Sequence, residues 1–137
     1  GESAVFTRDN AQRLLLGQPE REEEWGTGSI PGDLIVGSPQ RARTVPNAID
    51  SVVVRHITGK LSSLSFRTYD QGREKWAGET LHGVWFDEEP PYEIYIEGLT
   101  RTNATDGFVV ITFTPLRGLS EVVRIFLNDE QAREMAA

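Results

Sequence analysis

The stretch Gly83-Val84-Trp85-Phe86-Asp87-Glu88-Glu89-Pro90-Pro91 joins an apolar run to three consecutive carboxylates and two prolines. The apolar residues predict a buried β-strand. The prolines require that strand to have ended, and Pro91 suits the first turn of a following helix. Carboxylates at the end of a buried strand are typical of proteins that hold hydrated magnesium beside phosphates and activate a water molecule. The segment therefore predicts a strand, a turn and a helix, with Asp87 and Glu88 at the end of the strand.

A second apolar run, Phe108-Val109-Val110-Ile111-Thr112-Phe113, follows the predicted helix and ends at Thr114-Pro115. It predicts a second buried strand. Two strands joined by a helix run parallel, and α/β proteins keep their sites at the carboxyl edge of such a sheet. We therefore expect the carboxylates of Asp87 and Glu88 to lie beside the tip of the strand that bears Thr114.

The other segments give a coarser pattern. Apolar spacing, caps and turn residues predict an N-terminal helix from Ser3 to Leu16 that stops at Gly17, an irregular loop over Gly37–Asn47, paired strands over 51–57 and 61–69, and a last helix capped by Ser120. The whole reads as an α/β protein: a mostly parallel central sheet with an added antiparallel β-hairpin. We expect one domain over residues 1–137.

Composition limits the classes of function. The chain has 137 residues, 38% hydrophobic and 26% charged, so it is long enough for one modest globular domain. It contains no cysteine, which excludes disulfides and thiolate metal sites. No apolar run is long enough for a membrane span, so no membrane partner is predicted. The net charge of −7 argues against a strong free-standing nucleic-acid binder.

Several motifs together closely resemble the ATPase domain of phage terminase large subunits, the motors that pump double-stranded DNA into empty capsids. The resemblance spans nearly the whole chain and is most specific between residues 69 and 118. The motifs that carry it are Tyr69-Asp70-Gln71-Gly72-Arg73-Glu74-Lys75-Trp76-Ala77-Gly78, the acidic strand from Gly83 to Pro91, Leu99-Thr100-Arg101-Thr102, and Thr112-Phe113-Thr114-Pro115-Leu116-Arg117-Gly118.

The resemblance implies a role for each matching residue. Asp87 matches the acidic residue of the Walker B motif that supports Mg²⁺, and Glu88 matches the catalytic glutamate that orients and activates water. Thr112-Phe113-Thr114 matches the coupling motif that senses the bound ATP, and Thr114 is the better candidate there because it lies where the strand ends. Arg73 is a candidate for the arginine that a neighbouring subunit offers to the transferred phosphate. An ion pair of Arg73 with Asp70 or Glu74 is at least as good an interpretation. Arg101 is a second candidate for the same role, with a weaker case.

The resemblance also implies partners and a setting. The partners are double-stranded DNA, a portal protein, a small terminase subunit and identical large subunits in a ring. The setting is the bacterial host cytoplasm, at the procapsid. The implied fold is an incomplete P-loop NTPase core of the ASCE type.

One departure from the family pattern is large. No glycine-rich turn with lysine and serine or threonine, as the phosphate-binding loop requires, occurs in this sequence. The best glycine cluster, Gly26-Thr27-Gly28-Ser29, has no lysine. We therefore expect an internal piece of the ATPase domain, without the phosphate loop or the downstream nuclease domain, that hydrolyses ATP poorly or not at all by itself.

Three alternatives remain open at the level of sequence. The chain could be a non-catalytic interaction module, such as a prophage remnant, that keeps the fold without hydrolysis. It could be a metal-dependent hydrolase that uses Asp87, Glu88 and Glu89 as ligands, with further carboxylates from elsewhere. A helicase-like ATPase also has an Asp-Glu strand end. The indole of Trp85, inside the apolar strand, is expected in the core.

Overall fold

The computed structural model describes residues 3–114, 118 and 120–127, and it divides the chain into two compact units, Gly1–Asp70 and Gln71–Ala137. The first unit contains a three-stranded antiparallel sheet, and the second contains a parallel pair of strands. The prediction of a mixed α/β protein is confirmed at this level. The expectation that a single ATPase domain covers residues 1–137 stays a prediction.

The N-terminal helix has three parts: α1 (Ala4–Thr7), a π-helical segment (Arg8–Gln12) and α2 (Arg13–Leu16). Ser3 caps it as predicted, since its hydroxyl accepts a hydrogen bond from the Phe6 N–H at 3.2 Å. The helix ends at Gly17, whose φ of +96° is a left-handed conformation open to glycine. A Cβ at Gly17 would lie 2.3 Å from the Glu24 carbonyl oxygen.

The antiparallel sheet has the order β1 (Ile35–Arg41), β2 (Ile49–Arg55) and β3 (Leu61–Ser65). The β2–β3 pair confirms the predicted hairpin, with Gly59 in the turn at a φ of +83°. The predicted bounds were wrong, because β2 ends at Arg55 and β3 ends at Ser65, and Tyr69 begins a short 3₁₀ helix. The predicted irregular loop from Gly37 was wrong in its first part, because β1 runs on to Arg41. Pro39 is tolerated in β1 because β1 lies at an edge of the sheet and its register with β2 is irregular there.

The core of the first unit lies between the N-terminal helix and this sheet. Leu16, Ile49 and Val52 are buried at its centre, and partly buried side chains surround them. Gln12 is also buried and hydrogen bonds both backbone groups of Ile49: its Nε2 donates to the carbonyl at 2.7 Å and its Oε1 accepts from the N–H at 2.8 Å. The helix is thereby tied to the first residue of β2.

The second unit is a β–α–β arrangement. Strands β4 (Gly83–Asp87) and β5 (Phe108–Thr112) are parallel and in register from Gly83 opposite Phe108 to Asp87 opposite Thr112. Helix α3 (Tyr92–Asn103) connects them and packs on both. The short helix α4 (Glu121–Phe126) begins after its cap, Ser120, as predicted. The described residues thus hold one parallel pair of strands in the second unit and a separate antiparallel sheet in the first, where a mostly parallel central sheet was expected.

Phe86 is fully buried at the centre of the second unit. Its ring lies 5.3 Å from the Trp76 ring and 6.3 Å from the Tyr95 ring, measured between centroids. Helix α3 passes close over it at Gly98, where a Cβ would lie 2.7 Å from the Phe86 Cζ atom. The glycine therefore permits the close packing of α3 that places its first turn beside the end of β4.

Two predictions about burial were wrong. Strand β5 is not buried on both faces, since Phe108 and Val110 remain 62% and 45% exposed. Trp85 is not in the core either, since it is 42% exposed. The reason is the two-residue period of a strand: Val84 and Phe86 face inward, so Trp85 and Asp87 share the opposite face. Among the described residues, no helix has the length and apolar character needed to cross a bilayer.

Candidate functional site at the ends of strands β4 and β5

The last residues of the two parallel strands bring three polar groups together. Asp87 lies opposite Thr112 in the register of the pair. The Trp85 Nε1–H donates a hydrogen bond to the Thr112 hydroxyl oxygen at 2.8 Å, and that hydroxyl lies 3.4 Å from Asp87 Oδ1 as a donor. The hydroxyl next to the first acidic residue is therefore that of Thr112. Thr114 is exposed, two residues beyond the end of β5.

Glu88 has an unusual backbone conformation. Its φ is +69°, and in the described part of the chain the other non-glycine residues with positive φ are Asn47 and Asp106. Asparagine and aspartate adopt this conformation readily, whereas glutamate does so rarely and at a cost. The Glu88 N–H donates to the Thr112 carbonyl at 2.8 Å, which continues the ladder between β4 and β5 by one residue. Backbone strain of this kind clusters at functional sites, so the conformation singles out Glu88 independently of its sequence motif.

Glu89 connects the turn after β4 to the start of α4. Its carboxylate accepts a hydrogen bond from the Ser120 hydroxyl, and Ser120 Oγ accepts from the Val123 N–H at 3.3 Å. The contact holds the Glu89 carboxylate against the start of α4.

Arg73 is paired within the chain. Its Nε donates to Glu97 Oε1 at 3.1 Å, and the Arg101 guanidinium donates to Glu97 Oε2 at 3.4 Å. The Glu97 side chain is only 5% exposed, whereas that of Arg73 is 66% exposed. The hydrogen bond from Arg73, followed by the charge of Arg101, holds the pKa of Glu97 below its usual range in spite of burial. The partner is neither Asp70 nor Glu74, the two acids that the sequence suggested.

The glycine-rich loop 26–29 serves the N-terminal helix. The N–H groups of Gly26, Ser29 and Ile30 donate to the carbonyls of Leu16, Leu14 and Leu15 at 2.8–2.9 Å. These are carbonyls that the end of a helix leaves without partners. These amides therefore cap the end of α2, and an amide that already donates to a helix carbonyl cannot bind phosphate.

The donor set suits a hydrated hard cation. Asp87 is a half-buried carboxylate at the end of a strand, and Mg²⁺ is commonly bound by one or two carboxylates together with substrate phosphates, while it keeps several waters. Residues 3–114, 118 and 120–127 contain no group of three or more His, Cys, Asp or Glu side chains that could hold a metal ion. Among the described residues, no further carboxylates therefore join Asp87, Glu88 and Glu89, as the alternative of a metal-dependent hydrolase would require.

Sequence reasoning missed two residues of the second unit: Trp85, which was expected in the core, and Glu97, whose carboxylate pairs with Arg73 and Arg101. The signal for Glu97 was present, because Glu97 and Arg101 are four residues apart on a helix, and that spacing places them side by side. The hydrogen bond of Trp85 had no local signal, because it joins residues on two strands.

The fold and the site define an α/β protein with an Asp-Glu pair at the shared end of two parallel strands. The family model described as "Terminase large subunit, T4likevirus-type, N-terminal" matches residues 6–137, and the chain belongs to this family. It is 46% identical over 134 residues to the terminase large subunit of Salmonella phage P22, and 31% identical over 132 residues to that of Enterobacteria phage LP7.

Each alignment covers 94% of this chain and 27% of the relative, so the chain spans about a quarter of the length of the curated relatives it matches. No solved structure matches it significantly.

Proposed function

We propose that this chain is part of the ATPase motor of a phage terminase large subunit, which couples ATP hydrolysis to the packaging of double-stranded viral DNA into procapsids. The observation that best supports the proposal is the placement of Asp87 and Glu88 at the shared end of β4 and β5, beside Thr112. The fold we propose around this pair is a P-loop NTPase core of the ASCE type. Its setting is the cytoplasm of the bacterial host.

Each residue has a proposed task. Asp87 would hold hydrated Mg²⁺, and a bound Mg²⁺ ion neutralises charge on the phosphates. Glu88 would orient the attacking water and accept its proton. Thr112 and Thr114 would respond to the presence of ATP. Arg73 would offer its guanidinium to the phosphate that a neighbouring subunit transfers. Its side chain is 66% exposed and is held by an ion pair with the buried Glu97 carboxylate.

The partners that we propose bind to the complete motor or assemble with it. They are double-stranded DNA, a portal protein, a small terminase subunit and further copies of the large subunit in a ring. The net charge of −7 in this chain implies that most DNA-binding cations lie elsewhere in the assembly.

Substitution of Glu88 tests the proposal in the full-length protein that contains this sequence. Glu88→Gln keeps the size of the side chain and removes the proton acceptor, so we expect steady-state ATP turnover to fall about 10²–10⁴-fold, with ATP affinity retained. Glu93→Gln is the matched control: it removes the same charge from an exposed position in the first turn of α3. Turnover that survives in Glu88→Gln would refute the proposed role of Glu88, whereas an unsubstituted protein without any turnover would favour the non-catalytic alternative.

The 137-residue chain by itself is expected to show no ATP turnover, because its sequence has no phosphate-binding loop and the amides of its best glycine cluster cap α2. Release of phosphate in the presence of Mg²⁺ checks this expectation. Turnover by the chain that Glu88→Gln abolishes would contradict it.

A further inference from the structure

We propose that Trp85 is a positioning residue for the Asp87 carboxylate and acts through the hydroxyl of Thr112. The proposal rests on the function proposed above for its relevance to Mg²⁺, but its geometry stands without that function. Trp85 and Asp87 lie two residues apart on the outward face of β4, and Thr112 lies opposite Asp87 on β5. The three side chains therefore meet on one face of the parallel pair.

The chemistry of the three groups gives the hydrogen bonds one direction. An indole N–H can only donate, so the Thr112 oxygen must accept from Trp85 at 2.8 Å. A threonine hydroxyl has a single proton, and an ionised carboxylate can only accept. The Thr112 proton is thereby directed to Asp87 Oδ1, at 3.4 Å. In the absence of Trp85 the hydroxyl would rotate freely among partners, including water.

The exposure of these groups makes the arrangement informative. Trp85 is 42% exposed, so water could satisfy its N–H at little cost. The bond to Thr112 is therefore not forced by burial. It restrains a hydroxyl beside a carboxylate that the strand register has already brought close. Because 3.4 Å is long for a hydroxyl–carboxylate hydrogen bond, the restraint on Asp87 is mild.

The expected consequence is a modest change in cation affinity. Removing an outer hydrogen-bond partner of a metal ligand typically weakens binding about 10–100-fold. The long distance and the exposure of this bond place the effect at or below the lower end of that range, so we expect divalent-cation affinity to fall about 3–10-fold on loss of Trp85 or of the Thr112 hydroxyl.

The hydrogen-bond chain can be tested without any metal. In a ¹⁵N-labelled sample of the full chain, Trp85→Phe identifies the indole N–H signal of Trp85, and the backbone amide spectrum shows whether each variant stays folded. We expect Asp87→Ala to shift that signal in the wild-type background but not in Thr112→Val, and Thr112→Ser to keep the coupling. A shift caused by Asp87→Ala that persists in Thr112→Val, or that is absent in both backgrounds, would overturn the proposal.

Mn²⁺ then serves as the cation probe in the full-length protein used for the turnover assay, together with a non-hydrolysable ATP analogue whose phosphates complete the cation site, and its affinity is measured by electron paramagnetic resonance. We expect Asp87→Ala to abolish site binding, Trp85→Phe and Thr112→Val to weaken it about 3–10-fold, and Thr112→Ser to restore it. The matched control is Trp25→Phe, which removes an indole N–H that donates to the Pro19 carbonyl at 3.2 Å in the first unit.

The two measurements separate the two proposals. Equal Mn²⁺ affinities in Trp85→Phe and Trp25→Phe, with Asp87→Ala defective, would overturn the positioning role and leave the proposed function standing. Mn²⁺ affinity unchanged by Asp87→Ala would overturn the metal role of Asp87, while the indole signal would still decide whether Trp85 and Thr112 orient its carboxylate.

Discussion

Replacing Glu97 with glutamine tests the buried anchor of the second unit. The change keeps the size of the side chain but replaces one accepting oxygen with an NH₂ group, which faces a guanidinium donor. A hydrogen bond to a charged group contributes about 1.5–3 kcal/mol, and the exposure of Arg73 reduces its share. We therefore expect Glu97→Gln to lower the free energy of unfolding by about 1–2 kcal/mol.

Hydrogen exchange of α3 amides, measured by mass spectrometry at increasing urea, reports this free energy for the second unit alone. Glu93→Gln is the control, because it removes an exposed carboxylate from the same helix and is expected to cost less than about 1 kcal/mol. If Glu97→Gln costs no more than this control, the ion pairs of Glu97 do not stabilise the unit.

The same pair predicts the sign of a pH dependence. The pKa of Glu97 is lowered from its ordinary value of 4.5, so the unfolded chain takes up a proton more readily than the folded one. The contribution of the ionised Glu97 to the free energy of unfolding is complete at pH values above 4.5 and is lost as the pH falls through the pKa of the folded chain. The stability difference between the wild type and Glu97→Gln should thus be constant near neutrality and narrow below about pH 4.5. A difference that widens on acidification would refute the reasoning.

Three further substitutions test the packing and strain described above. Gly98→Ala should lower the free energy of unfolding, measured with urea, by about 1–2 kcal/mol, because its Cβ meets the Phe86 ring. Replacing the ring with the smaller leucine side chain in Phe86→Leu should reduce the effect of Gly98→Ala. An unchanged unfolding midpoint in Gly98→Ala would show that α3 shifts freely. Glu88→Gly should be as stable as the wild type or up to about 1 kcal/mol more stable, because it relieves a positive φ, and clear destabilisation would show that the turn is not strained. Gln12→Leu should lower the free energy of unfolding by about 2–4 kcal/mol and expose the Ile49 amide to hydrogen exchange, because the N–H and the carbonyl of Ile49 both lose their hydrogen-bond partner. Unchanged protection of that amide would contradict this reasoning.

Much of the local structure was predictable from the sequence. The prolines after Asp87 set the start of α3, and the caps at Ser3 and Ser120 set the starts of two other helices. The hairpin around Gly59 followed from its apolar strands and its turn residue. Each of these features depends on residues within about one turn of one another, so the physical cause is written in adjacent positions.

The site was predictable in outline from the sequence and in detail only from the tertiary structure. The carboxylates at the end of β4 were expected beside the neighbouring strand, but the register of the parallel pair selected Thr112 as the hydroxyl that contacts Asp87. Trp85 was predicted to lie in the core because the apolar run around it was treated as buried along its whole length. The alternation of the folded strand turned the indole outward.

The sequence alone determined the capped starts of the helices, the turn of the hairpin and the acidic pair. The tertiary structure decided which distant groups meet: Trp85 with Thr112, 27 residues apart, and Arg73 with Glu97, 24 residues apart. Such pairs depend on strand register and helix packing, which arise from the summed burial of many side chains. No short stretch of sequence contains that sum, and for this reason the contacts around the carboxylates appear only in the folded chain.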